Sequence, residues 1–495
     1  MLFDVKILGV FASWWLIIGF TRSAGVSPAI IIPMEYDCII IGGGLSGLAA
    51  GIRLSHFGKK TCILEKHSLL GGLNSFYTKG GYEIDSGLHA MTNFTTKGGP
   101  KSAPLAKLLR QLRIQHDELE LREQKHSLVS FPGVSLKFTN DFEFLKSGIQ
   151  DKFKDDLEGF VKLDKLLSSY DSLNLSSHFV SARKIVSEHI RSPLLADMLF
   201  CPLMYYGSAV EDDMDFAQFA IMYQSIFKEG FCRPAGGIRT LLDILEKRIT
   251  ESGGEIRRNC EVRKIISKDG QAQAVELKSG EALYTRNILS SAGYVETLSL
   301  CDRKPADFTE IPRGQMAFVE TVGLLDSPLA GYESAIIFFN SSEKFHYQNP
   351  LDEIDCRSGV VCCPNNFQYL PSDTPPAPMI RITVLANNRL WSEFPHDEYK
   401  KLKKDCSTRT LSIAAKFTGV PGLTERIKLI DTFTPRTITR YTGHINGAVY
   451  GCPGKIKDGR THIGNLFLCG TDQGFLGITG SMLSGISIAN LHLLK

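Results

Sequence analysis

The chain has 495 residues, of which 43% are hydrophobic and 22% are charged. This length predicts more than one domain, and the composition is ordinary for a folded protein. Lys and Arg number 56 against 53 Asp and Glu, a net charge of +3, which argues against nucleic acid or a strongly acidic partner. The twelve cysteines form no C-x-x-C pair and no zinc-type cluster with histidine. We therefore expect reduced, mostly buried thiols and no metal site.

The first 33 residues have two possible interpretations. An uncharged run at residues 7–20 follows Lys6 and precedes small residues at 23–25. It is shorter than the roughly 20 apolar residues of a membrane span and is typical of a signal-peptide core or anchor. Alternatively, the start is misassigned and the protein begins at Met34. Residues 1–33 are thus predicted to be a hydrophobic leader or a misassigned start, and the location is predicted to be cytoplasmic or peripheral to a membrane.

A strand–turn–helix–strand pattern starts near Tyr36. The apolar residues 36–41 predict a buried strand, and the glycine-rich turn GGGLSG occupies residues 42–47. An apolar periodicity then predicts a helix over residues 48–58, and TCIL at 61–64 predicts a second strand that ends before Glu65. This order is that of a βαβ nucleotide-binding unit.

The glycines in this turn have the spacing G-x-G-x-x-G. Gly42 permits the tight turn, Gly44 lets a phosphate approach the backbone, and Gly47 lets helix and strand pack closely. The amides at the start of the helix, next to Leu45 and Ser46, face the diphosphate. Glu65 stands where a carboxylate accepts from ribose hydroxyls. Lys66 and the pair Gly71 and Gly72 follow and complete the predicted dinucleotide site.

The rest of the chain alternates in character. Three- and four-residue spacing of apolar residues predicts a largely helical region over about 105–231. Residues 234–265 return to helix, glycine turn and strand, and residues 273–289 predict a hairpin leading into a strand. A mixed segment covers about 310–430. A last strand at 466–469 precedes Gly470 and Asp472, and a second glycine-rich turn at 477–481 opens the final helix.

Four stretches of the sequence resemble one flavoprotein family. They are residues 36–72, the segment from RPAGGIRTLLDILEKR to EVRKI, TFTPRTITRYTGHINGAVYG, and NLFLCGTDQGFLGITGSMLSGISIAN. The chain resembles the bacterial phytoene desaturases, carotenoid isomerases and retinol saturase, which are related to amine oxidases. The resemblance implies FAD as cofactor, an adenine contact from the backbone of Val262, and a flavin flanked by Gly470, Asp472, Ile478 and Ser481.

The resemblance also implies an architecture and an activity. We expect an α/β fold in which a discontinuous Rossmann-like FAD-binding domain carries an inserted mixed α+β substrate domain. The predicted FAD-binding parts are 34–105, 231–300 and 431–495, with a helical substrate or lid region at 106–230 and a substrate domain at 301–430. The expected enzyme transfers hydride between FAD and a C–C bond of a hydrophobic polyene or isoprenoid, or isomerises it. Such a substrate implies possible peripheral membrane contact, and the catalytic residues are not assigned.

The sequence departs from the family pattern at two places. Leu73 and Asn74 stand where amine-oxidase relatives carry a basic residue, and Thr479 occupies a region where relatives often have proline. Two rival functions stay open: a flavin oxidase of amines or amino acids, and a non-catalytic prenyl- or lipid-binding protein on the same fold.

Several other side chains have both a structural and a functional interpretation. His89 either faces the flavin or is a hydrogen-bonded structural residue, and Cys469 is either a covalent flavin anchor or, as we expect, a buried thiol. The Tyr205–Tyr206 pair lines an apolar tunnel or packs between helices. Arg436 and Arg440 lie at a pocket mouth or in solvent.

Overall fold

The computed structural model describes residues 35–172, 174–175 and 178–495. The chain divides into the units Met1–Pro33 and Met34–Lys495, and the described residues belong to the second. The leader or misassigned start predicted for residues 1–33 lies outside the described residues.

The α-helices are α1 (Leu45–Ser55), α2 (Pro104–Leu112), α3 (Phe142–Lys152), α4 (Leu157–Ser169), α5 (Ala182–Ser187), α6 (Pro193–Gly207), α7 (Phe216–Tyr223), α8 (Ile238–Glu251), α9 (Tyr294–Leu300), α10 (Asn388–Glu393), α11 (His396–Thr418), α12 (Pro435–Thr442) and α13 (Gly477–Ile488). The strands are β1 (Cys38–Ile41), β2 (Thr61–Leu64), β3 (Phe76–Lys79), β4 (Tyr82–Asp85), β5 (Leu121–Glu123), β6 (His126–Phe131), β7 (Val134–Phe138), β8 (Cys232–Pro234), β9 (Glu255–Arg257), β10 (Val262–Lys268), β11 (Gln271–Leu277), β12 (Ala282–Tyr284), β13 (Ile288–Ser290), β14 (Ala317–Leu325), β15 (Ser334–Asn340), β16 (Ile354–Cys362), β17 (Met379–Ala386), β18 (Ile427–Phe433) and β19 (Leu466–Leu468).

A parallel sheet of five strands forms the nucleotide-binding half, in the order β19-β13-β1-β2-β9. The strands β1 and β2 are buried along their whole length, which explains their continuous apolar sequence. In this sheet β2 lies on one side of β1, and β13 and β19 lie on the other side. Ligands bind at such a change of direction, outside the carboxyl ends of the strands.

A second, mixed sheet of seven strands has the order β18-β14-β17-β16-β15-β6-β7. The pair β15 and β6 is parallel, and the other pairs are antiparallel. One face packs against the helices α3 to α7 in a core rich in phenylalanine and tyrosine. The other face packs against α10 and α11, around Trp391 and Leu411. The predicted α/β fold with an inserted mixed α+β region is confirmed.

One part of the region predicted to be helical contains strands. The hairpin of β6 and β7 lies within residues 106–230 and joins the seven-stranded sheet at its edge. Its side chains alternate between buried and partly exposed, as in a half-buried strand. The partner of β6 is β15, some 200 residues later in the chain, so its pairing is not visible in the local sequence. The first helix also begins at Leu45, three residues earlier than predicted.

Helix α1 is held against the last helix of the chain by glycine. A Cβ atom on Gly485 of α13 would lie 2.0 Å from the carbonyl oxygen of Ser46, so the two helices approach closely only because that side chain is absent. This contact brings the C-terminal segment to the glycine turn.

No helix in the described part of the chain is long and apolar enough to cross a membrane. The twelve cysteines are free thiols, ten of them buried, as predicted.

Candidate cofactor site and adjoining cavity

The glycine turn connects β1 to α1 in the way its spacing predicts. Gly42 has a φ of +96°, and a Cβ atom on it would lie 2.6 Å from Ser291 Oγ. A Cβ atom on Gly47 would lie 2.2 Å from the carbonyl oxygen of Gly42. At Gly44, by contrast, an added Cβ atom meets no atom within 4 Å. Gly44 therefore borders open space at the start of a helix.

The start of α1 is suited to an anion. Its cap residue is Gly44, no side chain caps it, and its first turn carries no acidic residue. The first backbone amides of α1 therefore have no side-chain partner among the described residues and can donate to a ligand. The helix dipole adds partial positive charge at this end. A phosphate group fits both the space beside Gly44 and this charge.

The Glu65 carboxylate is fixed at the end of β2. Its Oε2 accepts a hydrogen bond from the amide of Gly43 at 2.8 Å, and its Oε1 accepts one from the amide of His67 at 2.8 Å. Each carboxylate oxygen keeps a further lone pair. Because Glu65 lies on the wall of the cavity that Gly44 borders, it is placed to accept from a diol such as that of ribose.

A cavity of about 360 Å³ runs along the carboxyl edge of the parallel sheet. Eleven of the fourteen residues predicted to bind the cofactor line it: Gly42, Gly44, Leu45, Ser46, Glu65, Lys66, Gly71, Gly72, Val262, Gly470 and Ser481. Residues that lie far apart in the sequence are thus brought to one wall. Lys66 adds positive charge, and burial lowers the pKa of its ammonium group while Glu261 and Glu65 oppose that shift.

The other three predicted residues lie elsewhere. Gly47 packs α1 against the turn, and Ile478 lines an adjoining cavity. Asp472 does not line the first cavity. Its Oδ2 accepts from the amide of Tyr294 at 2.5 Å and its Oδ1 from the amide of Cys452 at 2.8 Å. These two amides, from the segments that follow β13 and precede β19, fix the carboxylate, and each of its oxygens keeps a further lone pair. The predicted place of Asp472 beside the flavin stays a prediction.

The cavity also has walls that the sequence analysis did not assign. They include Leu73, Asn74, Ser291, Ala292, Glu296 and residues 441–445. The amide of Ile445 donates to Glu296 Oε1 at 2.8 Å, which ties the segment after α12 to α9. Residues 441–445 lie inside one of the stretches that resemble the family. The resemblance to the family included this segment but implied no function for any single residue in it.

A second cavity, of about 180 Å³, adjoins the first, and the two share Leu73, Asn74, Thr471 and Ser481. Most of its wall is aromatic or aliphatic: Tyr205, Tyr206, Phe318, Val360, Phe433, Ile438, Val449, Tyr450, Leu476 and Ile478. Tyr205 both lines this cavity and packs in the core, since its hydroxyl bonds Ser358 Oγ at 2.9 Å. Both tyrosines line the cavity, and their rings pack against strands, with Tyr205 on Phe318 of β14 and Tyr206 on Phe338 of β15.

Polar residues occupy one side of the second cavity. His89, Glu320 and Thr383 are among its lining residues, and Arg381 Nε donates to Glu320 Oε1 at 2.5 Å. Burial on its own raises the pKa of the Glu320 carboxyl, but the Arg381 guanidinium and the His89 ring outweigh it and lower that pKa to about 2. Glu320 is therefore ionised at neutral pH and its charge is matched by Arg381.

The remaining candidates have structural roles. Burial raises the pKa of the Cys469 thiol to about 12, so it is a poor nucleophile, and it lines neither cavity. Arg436 donates to the carbonyl oxygen of Ser392 at 2.8 Å and lies over the ring of Tyr399. The guanidinium of Arg440 lies over the ring of Tyr441. No group of three potential metal ligands occurs in the described residues.

This fold and these cavities define a dinucleotide-binding protein with a second, largely apolar cavity beside the dinucleotide site. A family model described as "flavin containing amine oxidoreductase" matches residues 45–331. The chain belongs to this family and is an FAD-dependent oxidoreductase, as predicted.

Among similar proteins of known function are two enzymes of polyenes. Prolycopene isomerase of Daucus carota is 23% identical over 455 residues, which cover 84% of this chain and 72% of that protein. All-trans-retinol 13,14-reductase of Danio rerio is 23% identical, covering 93% and 87%. Among solved structures, a putrescine oxidase bound to putrescine has a TM-score of 0.61 at 14% identity, covering 93% and 99%. The predicted resemblance to the polyene-modifying branch is confirmed.

Proposed function

We propose that this enzyme oxidises, reduces or isomerises C–C double bonds of a long hydrophobic polyene or isoprenoid. The observation that carries the proposal is the aromatic and aliphatic wall of the second cavity, directly beside the predicted FAD site. Burying an apolar chain there contributes roughly 25 cal/mol per Å² of surface removed from water. The names of the two polyene enzymes support the same substrate class.

We further propose which residues hold FAD. The amides after Gly44 take the diphosphate, Glu65 the ribose, and the Val262 backbone the adenine, while Ser481 and Ile478 lie towards the flavin end. When bound, FAD accepts or donates two electrons together with a hydride. The protein binds the two ends of the cofactor, orients the apolar substrate by shape, and excludes water from the second cavity with its aromatic wall.

The charge pattern of the second cavity argues against an amine substrate. An ionic contact with a protonated amine needs an unpaired carboxylate, and the Glu320 carboxylate that faces this cavity is already paired with Arg381. The rival of a non-catalytic prenyl-binding protein is weakened because Gly42, Gly44 and Gly47 are all present. These three glycines form a turn that binds the diphosphate of a dinucleotide, which a protein without that cofactor does not need.

The proposed substrate class is tested by extracting pigments and lipids from a host with and without the gene. A host that makes carotenoids should show a change in one polyene or isoprenoid, detected by chromatography with mass spectrometry. A Gly44→Val chain, expected to lack FAD, is the matched control and should leave the extract unchanged. An extract that is identical in all three hosts contradicts the proposal.

We also propose peripheral contact with a membrane, from which such a substrate is drawn. Leu175, Phe179 and Val180 are large apolar residues exposed on one segment, with Phe179 56% exposed. Exposed apolar side chains of this kind insert at the lipid interface. Sedimentation with phosphatidylcholine–phosphatidylglycerol vesicles should carry the wild-type protein down and leave Phe179→Asp in solution. Equal sedimentation of the two contradicts this contact.

A further inference from the structure

The polar side of the second cavity is arranged around one imidazole. His89 Nε2 lies 3.4 Å from Glu320 Oε1 and 3.3 Å from Thr383 Oγ1. Glu320 and Thr383 are directly opposite each other in the register of β14 and β17. Two neighbouring strands therefore direct their side chains to the same ring nitrogen, while the ring itself lies on the cavity wall.

Arg381 fixes both Glu320 and the backbone next to His89. It precedes Thr383 by two residues on β17, so both side chains lie on the same face of the sheet. The Arg381 side chain is 1% exposed; it binds Glu320 and donates through Nη1 to the carbonyl oxygen of Leu88 at 3.1 Å. Arg233 donates to the same carbonyl oxygen at 3.0 Å. The backbone that carries His89 is thus fixed together with the ring.

The tautomer of the imidazole follows from these partners. Because Glu320 is ionised, it can only accept hydrogen bonds, which places the ring proton on Nε2 of neutral His89. Nδ1 then carries the lone pair, and it makes no hydrogen bond within the described residues. A carboxylate that orients one ring nitrogen and leaves the other for a reactant is the arrangement of a general base.

Other ionisable groups on this cavity wall are less suited to proton transfer near neutral pH. Burial raises the pKa of Tyr205 and of Tyr206 well above the ordinary value, and it raises the pKa of Tyr450. The Tyr450 hydroxyl also donates to the carbonyl oxygen of Tyr205. Glu320 stays ionised. Among the lining residues of this cavity, His89 carries the imidazole, the side chain that most often serves as acid and base in catalysis.

We propose that His89 is the catalytic acid–base group of this enzyme, with Glu320 and Arg381 as positioning residues. The proposal rests on the proposed function. When a CH–CH unit becomes C=C, two C–H bonds break; one hydrogen leaves with both electrons as hydride to FAD, and the other leaves as a proton to His89 Nδ1. In saturation the same proton moves from His89 to carbon and the hydride is returned.

The pH dependence should differ between the two directions. Desaturation needs the neutral ring and saturation needs the protonated ring, so a lower pH should slow desaturation and a higher pH should slow saturation. The charged groups around His89 are Glu320 from β14, Arg381 from β17 and, through the Leu88 carbonyl, Arg233 from β8; the Cys362 thiol of β16 donates to the His89 carbonyl oxygen at 3.6 Å.

The test compares the wild-type holoenzyme with His89→Gln, and with His126→Gln as a control. His126 is also a partly buried histidine with one Nε2 partner, Ser334 at 2.9 Å, but it lines neither cavity. Detergent-dispersed prolycopene and all-trans-retinol serve as probes. The His89→Gln variant should keep FAD and probe binding, lose about 10²–10⁴-fold in single-turnover rate, and lose the pH dependence. The wild type and the control should place solvent deuterium at carbon in D2O, and His89→Gln should do so only at the reduced rate.

A second measurement is independent of turnover. In the spectrum of ¹⁵N-labelled histidine in the holoenzyme, the signals that His89→Gln removes should show the ring proton on Nε2, and Glu320→Gln should weaken that preference. A His89→Gln enzyme with the wild-type rate and pH profile overturns the proposal. Isomerisation without deuterium uptake overturns it as well. Both outcomes leave the proposed function standing. If neither probe reacts with the wild type, the proposed substrate class is in error, and a His89 ring that carries its proton on Nδ1 then overturns the role of His89.

Discussion

The Gly44→Val chain is expected to fold and to carry no FAD. The backbone at Gly44 has φ −71° and ψ 170°, which valine adopts readily, and a Cβ atom there meets nothing in the protein within 4 Å. The side chain would instead fill the space predicted for the diphosphate. Purified wild-type protein should be yellow and release its flavin on acid precipitation, because the predicted contacts with the diphosphate and the ribose are hydrogen bonds and not covalent bonds. The variant should be colourless.

Gly454→Val is the matched control for this change. Gly454 also has no atom within 4 Å of an added Cβ and needs no positive φ, but it does not line the cofactor cavity. It should keep a full complement of FAD. A folded Gly44→Val protein that retains FAD at the wild-type stoichiometry contradicts the assignment of the glycine turn to the cofactor.

Arg381→Met is expected to lower the free energy of unfolding by about 3–5 kcal/mol at neutral pH, the usual cost of leaving a buried charge unpaired. In the wild type, the pKa of Glu320 lies at about 2, below its unfolded value, so its contribution is present above that unfolded value and is lost as the pH falls towards 2. Without Arg381, burial raises the pKa of Glu320 instead. The stability difference between variant and wild type should therefore shrink as the pH falls and the carboxyl takes up a proton.

Urea unfolding at several pH values measures this effect. The double variant Glu320→Gln with Arg381→Met has no buried charge at this position, so it should unfold at a higher urea concentration than Arg381→Met alone. Its stability should also lack the pH-dependent difference. Equal unfolding free energies for wild type and Arg381→Met would show that the pair adds nothing to the fold.

The nucleotide-binding half of the fold could be predicted because its signals are local. The strand at residues 61–64 was placed at its observed ends, and the roles of Gly42, Gly44 and Gly47 follow from short-range backbone geometry. The parallel sheet and the helix α13 packed on α1 are what this motif requires. The family likeness then placed Val262, Gly470 and Ser481, far apart in the sequence, on one cavity wall.

The substrate half could not be predicted in the same way. The β6–β7 hairpin owes its position to the distant strand β15, and a helical periodicity before and after it masked its short alternating pattern. The pair of Glu320 and Arg381 depends on the register of β14 against β17, which no local pattern encodes. The flavin contact that the family likeness implies for Asp472 stays a prediction, and the two loop amides that fix its carboxylate are encoded by no local pattern.

The most direct test of the account follows the flavin absorbance of the purified enzyme under anaerobic conditions. Detergent-dispersed polyenes and isoprenoids are added to the oxidised and to the dithionite-reduced enzyme, and amines and amino acids are added in parallel. With at least one polyene or isoprenoid, we expect the flavin to be reduced or reoxidised, or an isomerised product to be found by chromatography of the same sample. Amines should give no response. Rapid bleaching by an amine or amino acid, with no change in any polyene or isoprenoid, would contradict it.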